Sequence, residues 1–377
     1  MLRRVMVIAG EASGDLHGAG LVREMKKRLP ALDVFGIGGD RMKNEGMELV
    51  YHISSMSIMG FAEVVKNLLF LRSVERKLEG LLHERRPDVV VLIDYPGFNI
   101  RFARKVKQQG IKVLYYISPQ IWAWHKSRVK KVKRYVDRMK VVLPFEVDMY
   151  KEVGIDVEFV GHPLLEVIGS SVTREHFFAK HGLDRNKKLL GLLPGSRTQE
   201  VENILPTMAE VAAELCRSIP VQAAIGVAAN LGLSTLRRCV SSDSAITFVE
   251  HGTYELMANA DAAIVTSGTA TLEAGWFGTP MAVVYKTSPL TFFLGRMLVD
   301  VPNIGLVNIV AGTTVVPEFI QNAMTVENLV RVVGRLLQDD LYAQRMRNEL
   351  SIIKTRLGGP GASARVADGV IALAEAT

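Results

Sequence analysis

The chain has 377 residues, 48% of them hydrophobic and 23% charged, with a formal net charge of +7 at pH 7. That length exceeds one ordinary hydrophobic core, so two domains are expected, in a chain of ordinary soluble composition. No run approaches the ~20 apolar residues of a membrane span, no signal peptide is read, and two cysteines without CxxC spacing, Cys216 and Cys239, point to a reducing cytoplasm and away from structural zinc.

Residues 5–9 predict a short strand, followed by the glycine-rich stretch 10–20. Its glycines permit a tight turn and close packing of a helix over roughly 17–29. The stretch is not GxGxxG and lacks the acid that would close a dinucleotide unit. Strands follow at 34–37 and 47–51. In 56–82, Phe61, Val64, Val65, Leu68, Leu71, Val74, Leu78, Leu81 and Leu82 share one helical face. Ile58, Met59, Leu69 and Phe70 widen it, and Arg72, Arg76 and Lys77 flank it. Two readings stay open: a core helix with a generous face, or an acyl-chain groove or membrane contact.

Residues 89–93 are wholly apolar, which predicts a central strand of a parallel sheet. Asp94 follows, where the carboxyl end of a central strand opens onto a ligand crevice. It is therefore a candidate catalytic carboxylate. The alternative is a cap for a helix starting near residue 100, for which Asn99 is better placed because Pro96 and Gly97 intervene. A strand at 112–116 leads to a loop carrying Trp122 and Trp124, either a rigid pocket wall or a core anchor. In 125–140, Lys126, Arg128, Lys130, Lys131, Lys133, Arg134, Arg138 and Lys140 face one acid, Asp137. This is a solvated face or a contact for phosphates and anionic head groups. Strands at 140–143 and 157–160 follow, then His162, read as a turn residue or a group reaching into the cleft. The pattern fades over 164–171, the expected linker.

The second half repeats the alternation, with strands at 189–193, 221–225, 246–249, 262–266 and 281–285. Two junctions stand out. The apolar run 189–193 meets Pro194-Gly195-Ser196-Arg197, after which Val201, Leu205, Met208, Val211, Ala212 and Leu215 fall on one helical face. A strand, a glycine turn and a helix start bring free N–H groups and a positive dipole end together. Arg197 adds a charged fork suited to phosphate oxygens. This is either the diphosphate site of a nucleotide-sugar or an ordinary turn with an exposed arginine. The second junction runs from 262–266 into Ser267-Gly268-Thr269, with Glu273 near enough to accept from a ribose diol. Asn308, within the apolar run 303–312, needs a backbone or ligand partner.

Seven motifs occur in order: Gly10-Glu-Ala-Ser-Gly-Asp15, Asp94-Tyr-Pro-Gly-Phe-Asn99, Ser118-Pro-Gln-Ile-Trp-Ala-Trp124, Leu143-Pro-Phe-Glu146, Gly161-His-Pro163, Leu193-Pro-Gly-Ser-Arg197 and Ser267-Gly-Thr-Ala-Thr-Leu-Glu273. Together they resemble the lipid-A-disaccharide synthases over essentially the whole chain. The family commonly has threonine where this chain has Ala12. The resemblance implies an α/β fold of the GT-B type, two Rossmann-like domains with parallel sheets facing across a cleft. An acceptor- and lipid-binding domain at 1–168, a UDP-sugar domain at 169–345 and C-terminal helices at 346–377 packing back on the first domain are expected.

The implied reaction joins UDP-2,3-diacylglucosamine to 2,3-diacylglucosamine 1-phosphate (lipid X), releasing UDP with inversion, at the cytoplasmic face of the inner membrane. Asp94 is then the expected base. Gly195, Ser196, Arg197, Ser267, Gly268, Thr269, Glu273 and Asn308 would bind the donor, and Glu11, Ser13, Asp15 and Asn99 would line the acceptor side. No metal or other cofactor is expected, because no DxD-like pair lies near the turns and Arg197 with the helix starts can hold the leaving diphosphate. Another UDP-sugar transferase of the same architecture, such as one acting on a peptidoglycan precursor, is the rival within enzymes. A nucleic-acid-binding protein using 125–140 is the rival from another class. No nucleic-acid motif or aromatic series accompanies that segment, so no such partner is expected.

Overall fold

The computed structural model describes residues 2–56, 64–119, 126–169, 172–228, 231–241, 245–287 and 303–376. Trp122, Trp124, Ile58, Met59 and Phe61 lie outside the described residues, as do the side chains of Val64, Val65, Leu68, Lys126, Arg128 and Lys131. The chain divides into two units, Met1–Glu166 with Gly358–Thr377, and Val167–Leu357.

The first unit is built on a seven-stranded parallel sheet of order β3-β2-β1-β4-β5-β6-β7. Its strands are β1 (Arg4–Ala9), β2 (Asp33–Gly38), β3 (Glu48–His52), β4 (Val89–Ile93), β5 (Lys112–Tyr116), β6 (Arg138–Val141) and β7 (Val157–Phe159). Every residue of β4 is buried, because helices cover both faces of a parallel sheet. The helices that bear on the site are α1 (Ala12–Arg28), α2 (Asp40–Asn44), α3 (Val64–Arg85), α4 (Pro96–Gln108) and α5 (Lys126–Tyr135). Helix α1 begins at Ala12, not near residue 17, so its glycines lie inside it. They let neighbours approach: a Cβ on Gly18 would lie 2.7 Å from Met42 Sδ, and one on Gly20 would lie 2.4 Å from Ser363 Oγ.

The second unit carries a six-stranded parallel sheet of order β10-β9-β8-β11-β12-β13. The strands are β8 (Lys188–Leu193), β9 (Val221–Val227), β10 (Thr247–Glu250), β11 (Ala262–Thr266), β12 (Met281–Tyr285) and β13 (Glu318–Ile320). The edge strand β13 is too short to leave a pattern in the sequence. Four helices matter below: α6 (Thr198–Ser218), α7 (Thr253–Asn259), α8 (Thr269–Phe277) and α9 (Leu306–Ala311). The apolar face expected for α6 is core, with Val201, Leu205, Met208, Val211, Ala212 and Leu215 all buried.

The terminal helix α10 (Ala362–Glu375) lies against α1 and the sheet of the first unit. Ser363 N–H donates to Glu166 Oε1 (2.7 Å) at the point where the first unit ends and resumes. The boundary expected at 346 is corrected to Gly358. Leu350, Ile353 and Leu357 are fully buried in the second unit, and Leu350 and Ile353 pack beside Gly275.

Candidate active site

Each sheet reverses its strand order once, between β1 and β4 and between β8 and β11. In open parallel sheets the crevice at the carboxyl ends of such a strand pair is where ligands bind. In the first unit Ala9 is in register with Ile93, so the turns after β1 and β4 emerge side by side. Asp94 and Tyr95 both adopt the left-handed backbone, with φ of 45° and 47°. That conformation costs side-chain-bearing residues about 1–3 kcal/mol each, and it persists only where surroundings impose it.

The impositions are visible. Asp94 N–H donates to the Tyr116 carbonyl (3.0 Å), and the Asp94 carbonyl accepts from Tyr115 Oη (2.5 Å) and Asn99 Nδ2 (2.8 Å). The Tyr95 ring covers Gly10 so closely that a Cβ there would lie 2.3 Å from it, which is why residue 10 is glycine. The carboxyl group of Asp94 is pushed up to about 6, first by burial and second by the Glu11 carboxylate, against a hydrogen bond from the Tyr95 backbone. A partly buried carboxylate with a raised pKa at a switch point is the arrangement expected of a general base.

The expected acceptor-side residues separate. Glu11 and Ser13 are exposed at the start of α1, and Glu11 makes no side-chain cap of that helix. Asp15 turns inward and accepts from the backbone N–H groups of Gly39 (2.7 Å), Arg41 (3.2 Å) and Met42 (3.1 Å). It ties α1 to the first turn of α2, so the acceptor role expected of it is corrected to a structural one. Asn99 is fully buried inside α4, which starts at Pro96, and its Nδ2 also donates to the Ile93 carbonyl (3.2 Å). Neither the acceptor contact nor the capping role expected of Asn99 survives: the residue lies beneath the Asp94 turn. His162 is buried, and its Nδ1 accepts from Leu164 N–H (3.2 Å).

In the second unit Val265 is in register with Leu193, so the two expected turns leave neighbouring strands at the same end. Gly195 has φ of 105°, and a Cβ on it would lie 2.8 Å from Glu200 Oε2. Helix α6 starts at Thr198 and α8 at Thr269, and no side chain caps either start, the arrangement in which a helix N-terminus can receive an anion. Arg197 is exposed and paired with Glu200 (2.8 Å), beside Ser196, also exposed. Ser267 Oγ donates to the Ile304 carbonyl (2.9 Å), and Gly268 (φ 147°) has open space where a side chain would stand. Thr269 is exposed at the first position of α8. Glu273 is half-buried; burial raises its carboxyl, and a hydrogen bond from Tyr254 Oη on α7 (3.1 Å) opposes that rise.

Asn308 is corrected. It is fully buried in α9; its Nδ2 donates to the Val316 carbonyl and Glu318 Oε1 (2.8 Å each), and its Oδ1 accepts from Val315 N–H (2.8 Å) and Val316 N–H (3.0 Å). With two donors and two acceptances used, it has nothing left for a sugar or diphosphate. Sequence reasoning missed Tyr115, Tyr254, Glu200 and Glu318. Tyr115 lies in an apolar strand and reads as core, so only the destination of its hydroxyl separates it from core, while Tyr254 is a half-buried aromatic on a short helix with nothing in its sequence neighbours to mark it.

Outside these turns, Val74, Leu78, Leu81 and Leu82 of α3 are core while Leu69 stands out, 63% exposed. On α5, Lys130, Lys133 and Arg134 are exposed. Lys140 leaves the basic run: it points inward from β6, is paired with Glu158 and is 2% exposed. Arg138 is paired with Asp156 (2.9 Å). Among the described residues no three His, Cys, Asp or Glu side chains converge as a metal site requires, and no helix is long and apolar enough to cross a membrane.

Comparison with known proteins bears on the family and the fold. The sequence model of a family described as lipid-A-disaccharide synthetase matches residues 5–358. A lipid-A-disaccharide synthase of Trichlorobacter lovleyi is 45% identical over 375 residues, covering 99% of this chain and 98% of the relative. That of Geobacter sulfurreducens is 42% identical over 366 residues, covering 97% and 95%. Among solved structures, a UDP-GlcNAc 2-epimerase of Neisseria meningitidis bound to UDP-GlcNAc superposes with a TM-score of 0.68 at 14% identity, covering 98% of this chain and 100% of that one. A calicheamicin glycosyltransferase gives 0.62 at 17% identity, covering 100% and 99%. These two likenesses concern the fold, two Rossmann-like domains on parallel sheets. The chain belongs to the lipid-A-disaccharide synthetase family.

Proposed function

We propose that this glycosyltransferase joins UDP-2,3-diacylglucosamine to 2,3-diacylglucosamine 1-phosphate by a single inverting displacement, with Asp94 as base and no metal. The observation that carries the reading is the pair of uncapped helix starts leaving neighbouring strands β8 and β11, one of them bearing Arg197. Backbone N–H groups, the dipole ends and the guanidinium together suit a diphosphate. Glu273 accepts from the ribose diol.

Acceptor activation falls to the first unit. The Asp94 carboxylate takes the proton of the acceptor's 6′-hydroxyl as that oxygen bonds to the donor's anomeric carbon. The anomeric C–O bond breaks, and UDP leaves with the electron pair. With its pKa near 6, Asp94 is mostly ionised at neutral pH and a stronger base than an ordinary carboxylate. Charge developing on the diphosphate meets Arg197 and the two helix starts, which replace a metal.

Asp94→Ala is expected to abolish turnover, measured as UDP release, while calorimetry shows UDP binding unchanged. Near-normal turnover would remove Asp94 as base. Exposed Leu69 with the basic face of α5 supports contact with an anionic membrane at its cytoplasmic face. Leu69→Glu with Phe70→Glu should lower binding to phosphatidylglycerol liposomes and leave UDP affinity alone; unaltered liposome binding sinks the membrane contact.

A further inference from the structure

We propose that Tyr115 and Asn99 are positioning residues for Asp94: they clamp its main-chain carbonyl and so aim its carboxylate. This rests on the reading of Asp94 as the base. Four observations converge on that one peptide. Asp94 and Tyr95 stand in the left-handed region without being glycine, while Gly97 lies only two residues on, so a glycine turn was within reach of this segment. The carbonyl oxygen of Asp94 receives two side-chain donors, the Tyr115 hydroxyl at 2.5 Å and the Asn99 amide at 2.8 Å. The amide N–H of the same residue is held by the Tyr116 carbonyl at 3.0 Å. Tyr115 and Asn99 are both fully buried, on separate elements, and reach the turn from below.

Both polar ends of the Asp94 main chain are therefore fixed by the first unit's core, and the half-buried side chain is the part left to act at the carboxyl ends of β1 and β4. A strained turn held from two sides points one side chain in one direction. Proton transfer needs that accuracy, because a small misplacement of a reacting group costs large factors in rate. Tyr115 Oη is the informative atom. Tyr115→Phe keeps the ring, its packing and its volume, and removes only the hydroxyl.

The experiment is a double-mutant cycle on the full chain with acylated donor and acceptor. Tyr115→Phe and Asn99→Ala should each lower kcat roughly tenfold or more, with UDP affinity unchanged and, for Tyr115→Phe, a melting temperature close to that of the parent. The acid limb of the pH–rate profile should move with kcat. In the Asp94→Asn background, whose residual rate is read in single turnovers with enzyme in excess, Tyr115→Phe should cost nothing further, because a residue acting only through Asp94 has nothing left to aim. Equal losses in both backgrounds would mean a general structural role and would overturn the inference. So would parent-like kcat in Tyr115→Phe, whatever the fate of Asn99→Ala. If Asp94→Asn itself turns over at the parent rate, it is the reading of Asp94 as base that fails, and the two failures are told apart.

Discussion

The Asp94 carboxylate carries its raised pKa into both rate and stability. Its folded value of about 6 stands above the ordinary 3.8. The acid limb of kcat/KM is therefore expected near pH 6, and Glu11→Gln should move it toward the ordinary value by removing the second cause. A limb near pH 4 in the parent enzyme would contradict this. For stability the sign is fixed: a raised carboxyl favours folding while it is protonated, and that contribution is lost as pH rises from 3.8 through 6. At neutral pH the ionised, part-buried group is a cost. Asp94→Asn is expected to gain roughly 1–2 kcal/mol of stability at pH 7.5, discounted for its partial exposure, while losing turnover. Urea unfolding at pH 7.5 checks it; equal or lower stability would show that the turn depends on the charge. Two stiff left-handed residues add to the same balance, which is how an active site holds a geometry that its own sequence disfavours.

Elements matter here through where they begin. Helices α6 and α8 start without side-chain caps, unlike helices whose first N–H groups are taken by a Ser, Thr or Asp. Gly195→Ala is expected to weaken UDP binding at least tenfold, because φ of 105° excludes a side chain and Glu200 Oε2 stands 2.8 Å from where the Cβ would be. Calorimetry with UDP checks it, and unchanged affinity would mean the turn is not part of the cradle. Asn308 is the contrasting case. Asn308→Ala should destabilise the second unit by about 2–4 kcal/mol, since it leaves the buried backbone N–H groups of Val315 and Val316 without their acceptor. UDP affinity of the folded fraction should stay unchanged; a selective loss of affinity at parental stability would restore Asn308 to the site. Both are polar or small residues in apolar surroundings, and in the sequence they look alike. Strands 89–93, 112–116, 262–266 and 281–285 were legible to the residue, because burial on both faces leaves unbroken apolar runs. Helix starts were not: α1, α4 and α6 begin several residues before their apolar faces do.

At the scale of the whole molecule, the first unit keeps two histidines neutral, His162 buried and His17 half-buried. Burial lowers His17 to about 4, and burial with its neighbour His17 lowers His162 to about 3, both from 6.5. The unfolded chain binds protons at these groups below pH 6.5 that the folded chain refuses, so stability is full above 6.5 and is lost as pH falls toward 4. At pH 5 buried His162 costs about 2 kcal/mol and part-exposed His17 less, against roughly 1 regained from Asp94, so the histidines decide the sign. A lower urea midpoint at pH 5 than at pH 7.5 is expected, and a flat profile would contradict it. The architecture around them followed from the sequence alone: two rounds of strand and helix, seven motifs in order, and a family membership that the comparisons show. Periodic apolar patterning and turn residues are local properties, so a linear chain displays them. The destinations of Asp15, Asn99, Asn308 and Lys140 were decided only by tertiary structure. So was the return of the chain to the first unit at Gly358. A short polar side chain bonds equally well to a ligand or to a distant backbone group, and which of the two it meets depends on residues far away in the chain.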